Sequence, residues 1–137
     1  MADARPVLII DDDPDFLDVM RIILTAKGYD VRTATTAEQG LEVMRQERPL
    51  VVIVDVMMSY VLDGWAIGRQ MKSDPSLCDV PVIMVSAVIS SQDDPMFPDS
   101  TTACFDAFMS KPLEPDTLVR TITELAQADE KKGDAQQ

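Results

Sequence analysis

The chain has 137 residues, of which 46% are hydrophobic and 26% are charged, as is usual for a globular domain. Its 24 acidic side chains against 12 basic ones give a net charge of −12, which would repel a phosphate backbone and disfavours direct nucleic-acid binding. The absence of histidine excludes the commonest general base, serine–histidine and cysteine–histidine nucleophile pairs, and most zinc sites.

Membrane insertion and secretion are also disfavoured. No apolar run approaches the twenty or so residues that cross a bilayer, and the N-terminal "MADARP" contains no hydrophobic signal segment. The two cysteines, Cys78 and Cys104, form neither a C-x-x-C pair nor a metal-spaced cluster. We therefore expect a cytoplasmic protein whose cysteines are packing residues.

The first predicted elements are a strand at 7–10 and a helix after it. The run "VLII" is apolar at every position, which is typical of a strand covered on both faces of a parallel sheet. In "DPDFLDVMRIILTAKG", Asp13 is the expected N-cap, Pro14 occupies the first helical position and Gly28 ends the helix. The residues predicted to share one helix face are Phe16, Met20, Ile23 and Lys27.

A second helix is predicted between two further strands. "YDVRTA" (29–34) is the weaker strand, and "LVVIV" (50–54) is a fully apolar one. Between them, Thr36 and Gln39 have the spacing of a capping box, and Pro49 follows the end of the helix.

The second half continues the alternation. Strands are predicted at "VIMV" (82–85) and "AFMS" (107–110), and helices at "DGWAIGRQMKSDP", with Asp63 as N-cap, and "EPDTLVRTITELAQA". The segment 88–105 contains two prolines that must end, start or distort any helix there.

This order of elements predicts an α/β fold. Strand and helix repeated five times imply right-handed crossovers and a doubly wound, five-stranded parallel sheet of (βα)5 topology. We assign residues 1–128 to one domain and 129–137, which lack large apolar side chains, to a solvated tail or linker.

Polar residues follow the buried strands at their carboxyl ends. Because ligands bind at this edge of an open parallel sheet, we expect these side chains to face one small crevice. They are Asp11, Asp12, Asp55, Ser86 and Lys111.

Crowded carboxylates repel one another, and a hard divalent cation relieves that repulsion. Mg²⁺ prefers oxygen ligands and needs only one or two carboxylates besides a carbonyl and water. An aspartate beside such a cation and a lysine stays ionised, which suits it to accept a phosphoryl group.

The stretches "LIIDDDP", "VIVDVMM" with "DGW" downstream, "VIMVSA" and "FMSKP" carry a family resemblance. In order and strand-end placement they resemble the receiver domain of two-component response regulators, over about residues 6–128. The resemblance implies that Asp55 is the phosphoacceptor, that Ser86 and Lys111 hold the phosphoryl group, and that Phe108 and Ser86 form the switch. It implies Mg²⁺ as cofactor, held by Asp12, by Asp11 mainly through water, by Asp55 and by the Met57 carbonyl.

The function implied by this resemblance is regulatory, not enzymatic beyond the domain's own phosphorylation and dephosphorylation. A histidine kinase or phosphotransfer domain would phosphorylate Asp55, which would alter affinity for an effector protein or an output domain absent from this sequence.

Two alternatives remain open from the residues. Where family members carry proline four residues after the phosphoacceptor this chain has Ser59, and Asp63-Gly64 comes one residue late, so a pseudo-receiver that binds partners without phosphorylation is possible. A true enzyme on a similar sheet is the other class. A dehalogenase-type phosphatase would need a carboxylate where Met57 stands, and a P-loop would need a glycine-rich Lys-Ser/Thr turn, which the chain lacks.

Overall fold

Strands and helices alternate through the part of the chain that the structure describes. A computed structural model describes residues 5–55, 63–86, 106–111 and 113–135, with the backbone alone for 63–66 and 127–135. The strands are β1 (Val7–Ile10), β2 (Val31–Ala34), β3 (Val51–Asp55), β4 (Val82–Ser86) and β5 (Ala107–Ser110). The helices are α1 (Pro14–Ala26), α2 (Ala37–Gln46), α3 (Asp63–Ser73) and α4 (Pro115–Ala135).

The five strands form one sheet in the order β2-β1-β3-β4-β5, and every neighbouring pair is parallel. The chain runs outward from β1 to β2 and then returns to β3 on the other side of β1. This reversal creates the switch point at which ligands bind in open α/β sheets. The predicted doubly wound, five-stranded parallel sheet is therefore confirmed.

The three central strands are buried along their whole length, because helices cover both faces of the sheet. Successive side chains point to opposite faces, so Leu8 and Ile10 join one core cluster while Val7 and Ile9 join the other. Residues of α2 and α3 complete the first cluster, and residues of α1 and α4 complete the second.

Helix α1 begins and ends as its sequence predicts, but it buries a different face. The Asp13 carboxylate accepts a hydrogen bond from the Asp15 amide, Pro14 follows it, and Gly28 has a φ of 94°, which suits glycine. The predicted face is rotated, since the residues of α1 that are buried are Leu17, Met20 and Leu24. Phe16 and Ile23 are half-buried at its margin, and Lys27 is exposed.

Helix α2 is capped by both members of the predicted box, though with one changed partner. The Thr36 hydroxyl accepts from the Gln39 amide at 3.0 Å. The Gln39 side chain accepts from the amide of Thr35 at 2.9 Å, where a standard box would use the cap residue itself. Gly40 in the next turn brings the helix close to Ile10 of β1.

Helix α4 continues to Ala135, so the backbone of the predicted tail is helical up to that residue. The boundary at residue 128 stays a prediction. Leu118 and Ile122 of the predicted apolar stripe are buried, and Leu125 is half-buried. None of the described helices is both long and apolar enough to cross a membrane. The expectations for residues 57–62 and 88–105 lie outside the described residues.

Candidate functional site

The carboxyl ends of the central strands bring the predicted polar residues to one edge of the sheet. Asp11 directly follows β1, Asp55 is the last residue of β3, and Ser86 is the last residue of β4. Two backbone hydrogen bonds continue the pairing beyond the strands: the Asp11 amide donates to Ala34 at 3.0 Å, and the Lys111 amide donates to Ser86 at 2.8 Å. The backbone around the crevice is therefore held by the sheet itself.

Three carboxylates meet in this crevice. One ligand oxygen from each of Asp11, Asp12 and Asp55 lies within 4.8 Å of the other two. Asp11 is 1% exposed and Asp55 is 7% exposed, whereas Asp12 is exposed at the rim. The Asp13 amide donates to Oδ1 of Asp11 at 2.9 Å, which orients that buried carboxylate.

Lys111 bridges the two buried carboxylates. Its Nζ donates to Oδ2 of Asp11 at 2.7 Å and to Oδ2 of Asp55 at 3.2 Å. Burial alone would lower the pKa of this ammonium, but the Asp11 hydrogen bond and the charges of Asp55 and Asp11 outweigh burial, so the pKa is raised above its ordinary value. A raised lysine pKa means that the ion pairs are fully formed at neutral pH and are lost only as the pH rises above the ordinary value of 10.5.

An aromatic contact of this lysine was not anticipated from the sequence. Nζ of Lys111 lies 4.1 Å from the centroid of the Phe16 ring, which is within the range of a cation–π interaction. The sequence predicts only that Phe16 lies on one face of α1. Its place in the first turn, just after the acidic run, was the one available signal that it lies near the crevice.

The remaining predicted residues differ in how much the structure says of them. Ser86 is fully buried at the end of β4 and is in register with Ser110 of β5. Phe108 is half-buried and packs against the core cluster of α2 and α3. Met57 lies outside the described residues. The roles assigned to these three residues remain predictions.

The donor set suits Mg²⁺. Carboxylate oxygens are the hard ligands this ion prefers, and an octahedral ion with bonds of 2.0–2.1 Å spans about 4.2 Å between opposite oxygens. None of the separations between the three ligand oxygens exceeds 4.8 Å, which is only slightly more than that span. Asp11, Asp12 and Asp55 therefore fit a small divalent cation with only modest side-chain movement.

Known proteins are similar to this chain in sequence and in fold. The DNA-binding dual master transcriptional regulator RpaA of Synechocystis sp. is 31% identical over 119 residues, which are 87% of this chain and 48% of that regulator, so the chain spans about half of its length. The crystal structure of a CheY-like response regulator receiver domain protein from Methanospirillum hungatei JF-1 superimposes with a TM-score of 0.80 at 28% identity, covering 95% of this chain and 99% of that one.

A more distant structure shares the fold alone. It is the receiver domain of sensor histidine kinase PA1611 from Pseudomonas aeruginosa PAO1, with a magnesium ion coordinated in its active site cleft. Its TM-score is 0.77 at 19% identity, covering 91% of this chain and 99% of that chain.

The family model for the response regulator receiver domain matches residues 7–123. That stretch runs from the first residue of β1 to the middle of α4, and it includes the three carboxylates and Lys111. Because the match covers the whole sheet and its acidic crevice, the chain belongs to the response regulator receiver domains, which are regulatory modules of two-component systems.

Proposed function

We propose that Asp55 accepts a phosphoryl group from a histidine kinase or a phosphotransfer domain, with Mg²⁺ held by Asp11, Asp12, Asp55 and the Met57 carbonyl. The observation that carries the proposal is the ammonium of Lys111 lying 2.7 Å from Asp11 and 3.2 Å from Asp55. A lysine so placed keeps the acceptor carboxylate paired and lies beside any group that is added to it.

The chemistry follows from charge. An oxygen of Asp55 attacks phosphorus, the bond between phosphorus and the donor breaks, and the leaving group keeps the electron pair and takes a proton from water. Bound Mg²⁺ would offset the negative charge of the carboxylates and of the incoming phosphoryl oxygens. Lys111 pairs with one phosphoryl oxygen, and the Ser86 hydroxyl donates a hydrogen bond to another.

The regulatory step is a change in packing at the same edge of the sheet. A phosphoryl group on Asp55 adds negative charge next to Ser86 and Lys111, and draws both inward. Phe108 lies on β5, the strand next to that of Ser86, and three residues before Lys111. Movement of that segment changes how the half-buried ring of Phe108 packs. The two packings would differ in affinity for a partner.

The partners follow from this role. We place the domain in the cytoplasm, with a kinase or phosphotransfer domain upstream and an effector protein or output domain downstream. The relative RpaA is a DNA-binding transcriptional regulator about twice as long as the matched segment, which supports an output domain of that kind. The chain itself is acidic, so we assign it no direct contact with DNA.

Incubation with a small-molecule phosphodonor and Mg²⁺, followed by intact-mass spectrometry, tests the proposal. We expect one phosphoryl adduct in the native chain, none in Asp55→Asn, and slower formation in Asp12→Asn, which removes one metal ligand. Asp13→Asn is the matched control, because asparagine also caps helices and this change removes a neighbouring charge without touching the acceptor.

The opposite results would contradict the proposal. An adduct that survives Asp55→Asn would place phosphorylation elsewhere. A native chain that gains no phosphoryl group, and binds its partner equally well with and without Mg²⁺, would instead favour the constitutive interaction module.

A further inference from the structure

Phe16 contacts the lysine of the acidic crevice from the helix side. The residue lies in the first turn of α1, is half-buried and packs against the core cluster of α1 and α4. Its ring centroid is 4.1 Å from Nζ of Lys111, where attraction between an ammonium and an aromatic face extends to about 6 Å. One ammonium therefore contacts two carboxylates and one ring.

These three contacts of Lys111 respond differently when a divalent cation binds in the crevice. The carboxylates of Asp11 and Asp55, which Lys111 now contacts, belong to the same oxygen set that a divalent cation would use. The phenyl ring offers no such ligand oxygen. The ring is thus the one contact of the three for which a metal ion does not compete.

We propose that Phe16 is a positioning residue for Lys111, which keeps the ammonium beside Asp55 when the carboxylates are occupied by metal. The inference rests on the proposed function, because it concerns the lysine that would meet the phosphoryl group. Two consequences follow. Metal binding is easier, since the displaced ammonium keeps a partner, and phosphoryl transfer is faster, since the ammonium stays within reach.

Burial of the ring must be separated from its electrostatic face, because a half-buried phenyl group also stabilises the core. Phe16→Leu keeps most of the apolar volume and removes the aromatic face. Phe16→Tyr keeps the face. Phenylalanine analogues with increasing ring fluorination keep the shape of the ring and progressively weaken its negative face. If the ring acts by packing alone, these analogues should behave like the native residue.

A double-mutant cycle on Mg²⁺ affinity, measured by calorimetry on the full chain, tests the link without requiring phosphorylation. We expect Phe16→Leu to weaken Mg²⁺ binding by about threefold when Lys111 is present, and to have no effect in a Lys111→Met background. An equal effect in both backgrounds, or none in either, would overturn the proposal.

The phosphorylation rate at saturating Mg²⁺ is the second readout. We expect it to fall stepwise with ring fluorination and by about threefold to tenfold in Phe16→Leu, and to stay within about twofold in Phe16→Tyr. Ile23→Val is the matched control, because Ile23 is also half-buried on α1 against the same cluster and should alter stability but not rate.

The two proposals fail in different ways. A native chain that accepts no phosphoryl group refutes the proposed function, whatever the metal affinities are. A variant with leucine or heavily fluorinated phenylalanine at position 16 that is phosphorylated as quickly as the native chain refutes only the role of Phe16.

Discussion

The ammonium of Lys111 helps two carboxylates of the crevice, those of Asp11 and Asp55, to be buried before any metal binds. Asp11 and Asp55 are almost fully buried, and buried carboxylates without a partner are costly. Lys111 is the cation that both of them contact, and its own side chain is only 18% exposed. The cost of losing this residue should therefore exceed that of an ordinary surface ion pair.

We expect Lys111→Met to lower the free energy of unfolding by about 3 kcal/mol without Mg²⁺, the lower end of the range for breaking a buried pair. The loss should shrink when Mg²⁺ is added, because a divalent cation can neutralise the same carboxylates. Urea denaturation of both proteins with and without Mg²⁺ measures the two differences.

Lys72→Met provides the comparison for this prediction. The Lys72 ammonium lies 3.5 Å from Asp106 in a more exposed pair, 33% and 30% exposed, so we expect a loss of about 1 kcal/mol or less. The loss of unfolding free energy in Lys72→Met should not depend on Mg²⁺. Two results would contradict the role given to Lys111. The loss of unfolding free energy in Lys111→Met could be as small as that in Lys72→Met, or it could be the same at every Mg²⁺ concentration.

At the scale of elements, the close approach of α2 to β1 fixes the position of Ile10, the residue before Asp11. A methyl group added at Gly40 would overlap Cδ1 of Ile10 and would lie 2.9 Å from its Cγ1. Glycine inside a helix costs about 1 kcal/mol relative to alanine, so here it is needed for packing. Ile10 is fully buried and immediately precedes Asp11, so strain at this contact reaches the crevice.

We expect Gly40→Ala to destabilise the protein by about 1 kcal/mol, because overpacking of about 1–3 kcal/mol exceeds the gain in helix propensity. Adding Ile10→Val removes Cδ1, the first atom to clash, so the double variant should be more stable than the sum of the single effects predicts. Urea denaturation of the four proteins measures this coupling.

Gly28→Ala is the matched control for that cycle. Gly28 has nothing within 4 Å of the added methyl group, and its φ of 94° makes alanine costly for a purely conformational reason. Its effect should simply add to that of Ile10→Val. Strict additivity for Gly40→Ala as well would mean that Ile10 is not what excludes a side chain there.

For the whole molecule, the dominant feature is its net charge of −12. Excess charge of one sign destabilises a compact state through self-repulsion, while exposed ion pairs contribute little in return. Four aspartates within residues 11–15, around the start of α1, add to the negative field around the crevice. That field favours an approaching cation and works against a phosphodonor until the cation is bound.

We expect NaCl to raise the melting temperature by a few degrees between about 0.01 M and about 0.1 M, as the Debye length falls from roughly 30 Å to roughly 10 Å. At matched ionic strength MgCl₂ should raise it further, because specific binding adds to screening. Differential scanning calorimetry of the native chain and Asp12→Asn separates the two effects, since the screening part should be kept in the variant and the part due to specific binding should shrink. A melting temperature that falls with NaCl would show that attractive pairs outweigh repulsion.

The order of elements could be predicted from residue pattern alone. Fully apolar runs such as 50–54 mark strands buried on both faces, and local signals such as Asp13, Pro14 and Gly28 mark the ends of a helix, because both depend on near neighbours in the chain. The strand-end rule for parallel sheets then placed Asp11, Asp12, Asp55 and Lys111 at one edge, where the structure brings them together.

Contacts between distant segments depended instead on how the elements pack. The choice of Leu17 over Phe16 as the buried residue of α1 depends on how the helix is rotated against the sheet, which the helical period leaves open by about one residue. The ring of Phe16 meets Lys111, and Gly40 meets Ile10, only because separate crossovers pack onto the same strands. The residue pattern was sufficient to place the polar residues at the edge of the sheet, whereas packing sets which of their atoms touch.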